Sequence, residues 1–92
     1  MKNGTIILVP KNKIISLTIS KVWFYNDKIV VGLNDKNDIE VPLSLYPRLQ
    51  NATDQQRNGY ELWNNGKWLH WEELDEDLSL DGFLRYQKKQ SE

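Results

Sequence analysis

Two alternating apolar runs flank an Asn65-Gly66 dipeptide in YELWNNGKWLHW, residues 60–71, and no other stretch restricts the fold as strongly. Asn-Gly is the strongest short hairpin signal, because both central positions of the tight turn need positive φ. Setting Asn64 opposite Lys67 pairs Trp63 with Trp68, Leu62 with Leu69, Glu61 with His70 and Tyr60 with Trp71. A four-residue loop over Asn64–Lys67 predicts the same pairs. Side chains alternate across a strand, so Tyr60, Leu62, Leu69 and Trp71 form a core face. Glu61, Trp63, Trp68 and His70 form the opposite one.

The upstream half reads as an antiparallel three-stranded meander. Residues 1–13 are punctuated by Gly4, Pro10 and Asn12 and read as a flexible arm or an edge strand. Ile14 to Phe24 is rich in β-branched residues. Asn26-Asp27 then turns the chain into a second strand, Lys28 to Leu33. That register puts Phe24 opposite Ile29 and Val22 opposite Val31 on one face. Trp23 lies opposite Val30 on the other, so the hairpin is apolar on both faces and a partner protein is one way to cover the second. After a polar loop at Asn34–Asp38, Ile39-Glu40-Val41 alternates as a third strand and Pro42 stops it.

Helical signals follow. Leu43, Leu45, Tyr46 and Leu49 have helix-like spacing around Pro47, which suits a first helical turn. Thr53 and Gln56 have capping-box spacing, and Gly59 suits the position after a helix end. A short helix is therefore predicted through Asp54–Asn58. Beyond the hairpin, Ser79 is a good N-cap for a terminal helix whose apolar stripe is Leu80, Phe83 and Leu84. Asp81 in its first turn and Lys88-Lys89 near its end suit the helix dipole. The predicted whole is a single α+β domain over residues 14–87: meander, short helix, second β-hairpin, C-terminal helix, with a frayed tail at 88–92.

Composition narrows function mainly by exclusion. The chain has 92 residues and no cysteine, which removes disulfides, thiolate catalysis and thiolate-bound metals. Its net charge of −1 argues against bulk attraction to nucleic acid. The apolar run Ile6–Val9 is too short for a signal core, and no run approaches a membrane span; the expected location is cytoplasmic. Charge is uneven, however. The first 21 residues carry Lys2, Lys11, Lys13 and Lys21 without an acid, and residues 72–81 carry six acids without a base.

His70 is the one side chain that ordinarily titrates near neutrality. Its cross-strand neighbour Glu61 is placed to orient it and favour its charged form. No nucleophile is tied to it by local spacing, and a structural role is the simpler reading. Asp75, Glu76 and Asp77 are turn and cap residues joining the hairpin to the helix, oxygen ligands for a divalent cation, or a carboxylate pair for acid–base chemistry. Their spacing does not match an EF-hand loop. Trp63 and Trp68 form either an interaction anchor or a face covered by the terminal helix. Stacking on single-stranded nucleic acid would need a basic groove, and this hairpin offers only Lys67.

Taken in order, several segments resemble the bacterial domain-of-unknown-function family 2442. They are a meander ending in VPL, YPRL at Tyr46–Leu49, Ala52-Thr53 with Arg57, Leu62-Trp63, His70-Trp71 and LDEDLS at Leu74–Ser79. The resemblance spans about residues 17–86 and implies a small α+β domain. It also implies a second small protein encoded nearby, as in a toxin–antitoxin-like or regulatory pair. Some members of the family carry a helix-turn-helix domain; the resemblance over residues 17–86 brings in none, so DNA binding is not expected to carry over. No catalytic residues transfer.

The leading expectation is a protein-interaction module, antitoxin-like or regulatory, with no cofactor. Its partner is a small protein or a second copy, and its surface is Trp63, Trp68, His70, Glu61 and Trp23. One alternative is a metal-dependent hydrolase using Asp75–Asp77 and His70. The other is a nucleic-acid-binding regulator acting through the N-terminal lysines.

Overall fold

The computed structural model of the protein describes residues 16–90. The expected arm at 1–13 lies outside them. Strands β1 (Ile19–Tyr25), β2 (Lys28–Leu33) and β3 (Asp38–Pro42) form an antiparallel sheet in that order. The Asn26-Asp27 turn has positive φ at both residues, 50° and 60°, as a tight hairpin turn requires. Phe24 faces Ile29, Val22 faces Val31 and Trp23 faces Val30, as predicted.

A β-bulge at Ser20 was not legible in the sequence. Ile19 pairs with Leu33 and Lys21 with Gly32, leaving Ser20 as the extra residue. Plain alternation from Val22 would turn Ile19 outward; the bulge returns it to the core, where it is buried.

On the sheet's outer face the chain's own side chains cover Val30. Val30 is only 2% exposed, with Trp23 and Glu40 as its register neighbours. Glu40 pairs with Lys28 at 3.1 Å. The Trp23 ring reaches over Gly32, where an added Cβ would lie 3.1 Å from Cζ3.

A 3₁₀ turn at Leu43–Leu45 leads to two four-residue helices, α1 (Pro47–Gln50) and α2 (Asp54–Arg57). Pro47 occupies the first turn of α1. Thr53 and Gln56 form the predicted capping box: Thr53 Oγ1 accepts from the Gln56 amide, and Gln56 Oε1 accepts from the Thr53 amide. Helices this short leave most terminal carbonyls unpaired. Arg57 takes two of them, donating to the Leu49 and Gln50 carbonyls at 2.8 Å each.

The second half departs from the expected plan in one respect. Strands β4 (Glu61–Trp63) and β5 (Trp68–Trp71) form the predicted hairpin, but a third strand, β6 (Glu76–Ser79), pairs with β5. The acidic stretch is therefore sheet, not merely the lead-in to a helix. Asp75 enables this by adopting a φ of 53° in the β5–β6 turn, a conformation that Asp tolerates better than most residues.

Helix α3 (Leu80–Gln90) follows, with Ser79 Oγ accepting from the Gly82 amide as its cap. It keeps Lys88, Lys89 and Gln90 of the expected tail helical.

One core joins the two sheets and α3. Ile29, Val31, Ile39 and Val41 meet Leu49, Leu69, Trp71, Leu80 and Phe83. The Asn64–Lys67 loop docks on the start of β1, where the Ile19 amide donates to the Gly66 carbonyl at 2.8 Å. From the same loop the Lys67 carbonyl accepts from the Leu80 amide at 2.9 Å, tying in α3 as well.

Candidate aromatic and acidic face on the second sheet

The hairpin register is the predicted one: Glu61 faces His70, Leu62 faces Leu69 and Trp63 faces Trp68. Adding β6 sets Trp68 opposite Ser79 and His70 opposite Asp77. Alternation therefore brings Glu61, Trp63, Trp68, His70, Glu72 and Asp77 to one side of the sheet. On the other side Leu69 and Trp71 are in the core as expected. Leu62 is not: it is 41% exposed, because β4 is a three-residue edge strand with no strand beyond it among the described residues. Tyr60 is half-buried, its hydroxyl accepting from the Val22 amide.

His70 lies beneath this face rather than at it. It is 8% exposed, with the Trp63 indole stacked on its ring at a centroid distance of 3.9 Å and an interplanar angle of 19°. Its Nδ1 lies 2.5 Å from Asp77 Oδ1 and its Nε2 lies 2.6 Å from Glu72 Oε1. A neutral imidazole carries one N–H, so donating to both carboxylates requires the imidazolium. Its pKa is accordingly raised, chiefly by the Asp77 bond and then by the Glu72 bond, with burial opposing.

Glu61 does not orient His70 as expected. It accepts instead from Trp63 Nε1 at 2.9 Å, two residues along its own strand, and so fixes the indole that covers the histidine. Sequence reasoning missed both true partners. Glu72 was findable, since it lies two residues from His70, just past the end of β5 and on the same side by alternation. Asp77 was not, because it reaches His70 only through β6.

The acidic triplet divides its roles. Asp75 makes the turn, and its carbonyl accepts from Arg48. Glu76 pairs with Arg48 at 3.5 Å, and Asp77 holds His70. Glu76 also helps burial raise the pKa of Tyr46, burial being the larger cause. Asp77 and Glu72 contact opposite ring nitrogens of His70, so the three do not converge on one point. Among the described residues, no group of three or more His, Cys, Asp or Glu side chains is arranged to hold a metal ion. None of the described helices is long and apolar enough to cross a membrane.

Trp23 lies on the other sheet, half-buried, with Lys21 Nζ 5.0 Å from its ring centroid. It is not brought into the Trp63–Trp68 face. Trp63 and Trp68 remain 45% and 39% exposed, and α3 does not cover them. Of the N-terminal lysines, only Lys21 lies within the described residues.

A family model described as "Protein of unknown function (DUF2442)" matches residues 19–89. Two solved structures are similar. One is a protein of unknown function from Rhodospirillum rubrum, 30% identical, with a TM-score of 0.66 over 77% of this chain and 88% of that one. The other is an uncharacterised protein from Chromobacterium violaceum, 26% identical, with a TM-score of 0.63 over 74% of this chain and 64% of that one. A search of curated proteins finds no match.

Proposed function

The chain belongs to the DUF2442 family of proteins of unknown function, and from that starting point we propose that it is a non-catalytic protein-interaction module whose contact surface is the Trp63–Trp68 face. The carrying observation is the cross-strand tryptophan pair left open on a braced sheet. Tryptophan is enriched where binding energy concentrates, and a ring already immobilised loses little entropy on docking. Trp63 is held on one edge by Glu61 and beneath by His70.

The proposal is non-catalytic because His70 has both nitrogens engaged by carboxylates, which leaves no free lone pair to accept a substrate proton. In its finer form, the partner is a small protein encoded nearby or a second copy of this chain, and the role is antitoxin-like or regulatory.

Co-expression with the product of the adjacent gene, followed by gel filtration with light scattering, tests it. Expected is a complex or a dimer that Trp68→Ala disrupts and Leu45→Ala leaves intact; Leu45 is also exposed but lies outside this face. A strict monomer that retains no partner, or a complex indifferent to loss of both tryptophans, would overturn the reading.

A further inference from the structure

We infer that the Trp63–Trp68 face receives a basic segment of the partner protein, one that presents arginine or lysine side chains to the two indoles. This rests on the reading of the face as a partner surface and names the chemistry of its occupant.

The faces of indole rings carry the negative lobe of the ring quadrupole and attract cations, tryptophan most of all. Here the rings are framed by carboxylates from three places along the sheet: Glu61 on β4, Glu72 just beyond β5, and Asp77 on β6. The Glu72 and Asp77 side chains are 85% and 56% exposed. Each of the three spends one oxygen on Trp63 or His70. Three carboxylates against one imidazolium leave the face net negative.

Among the described residues, two basic side chains beside this sheet point to other work. Lys67, inside the hairpin loop, donates to Ser16 Oγ and to the Leu17 carbonyl at 2.7 Å each. Arg48 is committed to the Asp75 carbonyl and to Glu76. An acidic partner, or a nucleic acid, would bring like charge onto this rim, which costs free energy. A wholly apolar partner would strip water from the carboxylates and offer them nothing in return. Arginine and lysine satisfy both rings and rim.

The test titrates the isotope-labelled full chain with a capped hexa-arginine peptide. Hexa-lysine, hexa-glutamate and a neutral serine–leucine hexapeptide run in parallel, and the indole N–H resonances are followed by NMR. Expected are shifts of the Trp63 and Trp68 indoles, with the core Trp71 unmoved. Affinity for hexa-arginine should exceed that for the neutral peptide about ten-fold or more at low salt. It should fall several-fold between about 20 mM and about 300 mM salt. Trp68→Ala should weaken binding, while Glu40→Gln on the other sheet should not.

Equal response to neutral or acidic peptides, or binding indifferent to salt, would overturn the inference. So would hexa-arginine leaving both indoles unmoved. If a partner complex still depends on Trp68 in that case, the interaction reading stands and only the charge assignment falls. If no complex forms either, both fall.

Discussion

His70 Nδ1 and Asp77 Oδ1 lie 2.5 Å apart across the β5–β6 pair, seven residues apart in the chain. The contact ties the protonation of the protein's single histidine to the pairing of its last strand. The folded pKa is raised by Asp77 first and Glu72 second. The folded state therefore keeps a proton that the unfolded chain releases near its ordinary value of about 6.5. The resulting stability is fully present below that value and is lost as pH rises through the folded pKa. Denaturant midpoints should fall as pH rises above the ordinary histidine value of about 6.5, and Asp77→Asn should flatten that dependence. NMR titration should place His70 above its ordinary value, with Asp77→Asn lowering it more than Glu72→Gln. A wild-type His70 that titrates at or below the ordinary value would contradict the geometry.

Gly66 is required on two counts. Its φ is +83°, and an added Cβ would sit 2.9 Å from both the Ile19 carbonyl oxygen and Thr18 Cβ. Left-handed strain costs about 1–2 kcal/mol, and a clash with backbone costs about 1–3 kcal/mol. Gly66→Ala should lose about 2–5 kcal/mol in urea unfolding. Asn65→Gly, at a φ of 56°, should be tolerated.

Trp71 is 1% exposed and donates from Nε1 to the Arg57 carbonyl at 2.9 Å. Trp71→Phe keeps much of the packing but strands that carbonyl, so calorimetry should show a loss of about 1–3 kcal/mol. Trp71→Ala opens a cavity as well and should cost about 3–5 kcal/mol, a large share of the total for so small a domain. The Phe variant should keep its far-UV circular dichroism; the Ala variant should be substantially unfolded at moderate temperature.

At Thr53, substitution by alanine removes an acceptor from the start of α2 and should cost about 1 kcal/mol. Thr53→Ser should be close to neutral. A thermal melt resolves the difference, since about 1 kcal/mol moves the midpoint of a domain this size by roughly 4–8 °C.

The two hairpins, their registers, the capping box at Thr53 and the Ser79 cap were all legible in the sequence. Each depends on neighbours within a few residues: positive-φ turn residues fix the pairing, and side-chain oxygens reach amides three positions on. The candidate face was only half legible. Trp63 and Trp68 could be paired from the turn alone. Their exposure could not be read, because it depends on where α3 packs.

Strand β6 marks the boundary between local and tertiary information. Glu76-Asp77-Leu78-Ser79 has poor intrinsic strand character and precedes a clear helix cap, so local rules favour a helix lead-in. Pairing with β5, with the backbone reversed at Asp75, outweighs that preference. Pairing also decides that Asp77, not Glu61, holds His70, and that Glu61 is left to position Trp63. By itself the sequence determined which residues could meet across each tight turn, since turn geometry and alternation act locally. Only the tertiary structure decided which carboxylates reached the histidine and which tryptophans stayed in solvent. Those outcomes depend on the docking of segments whose local preferences do not specify it.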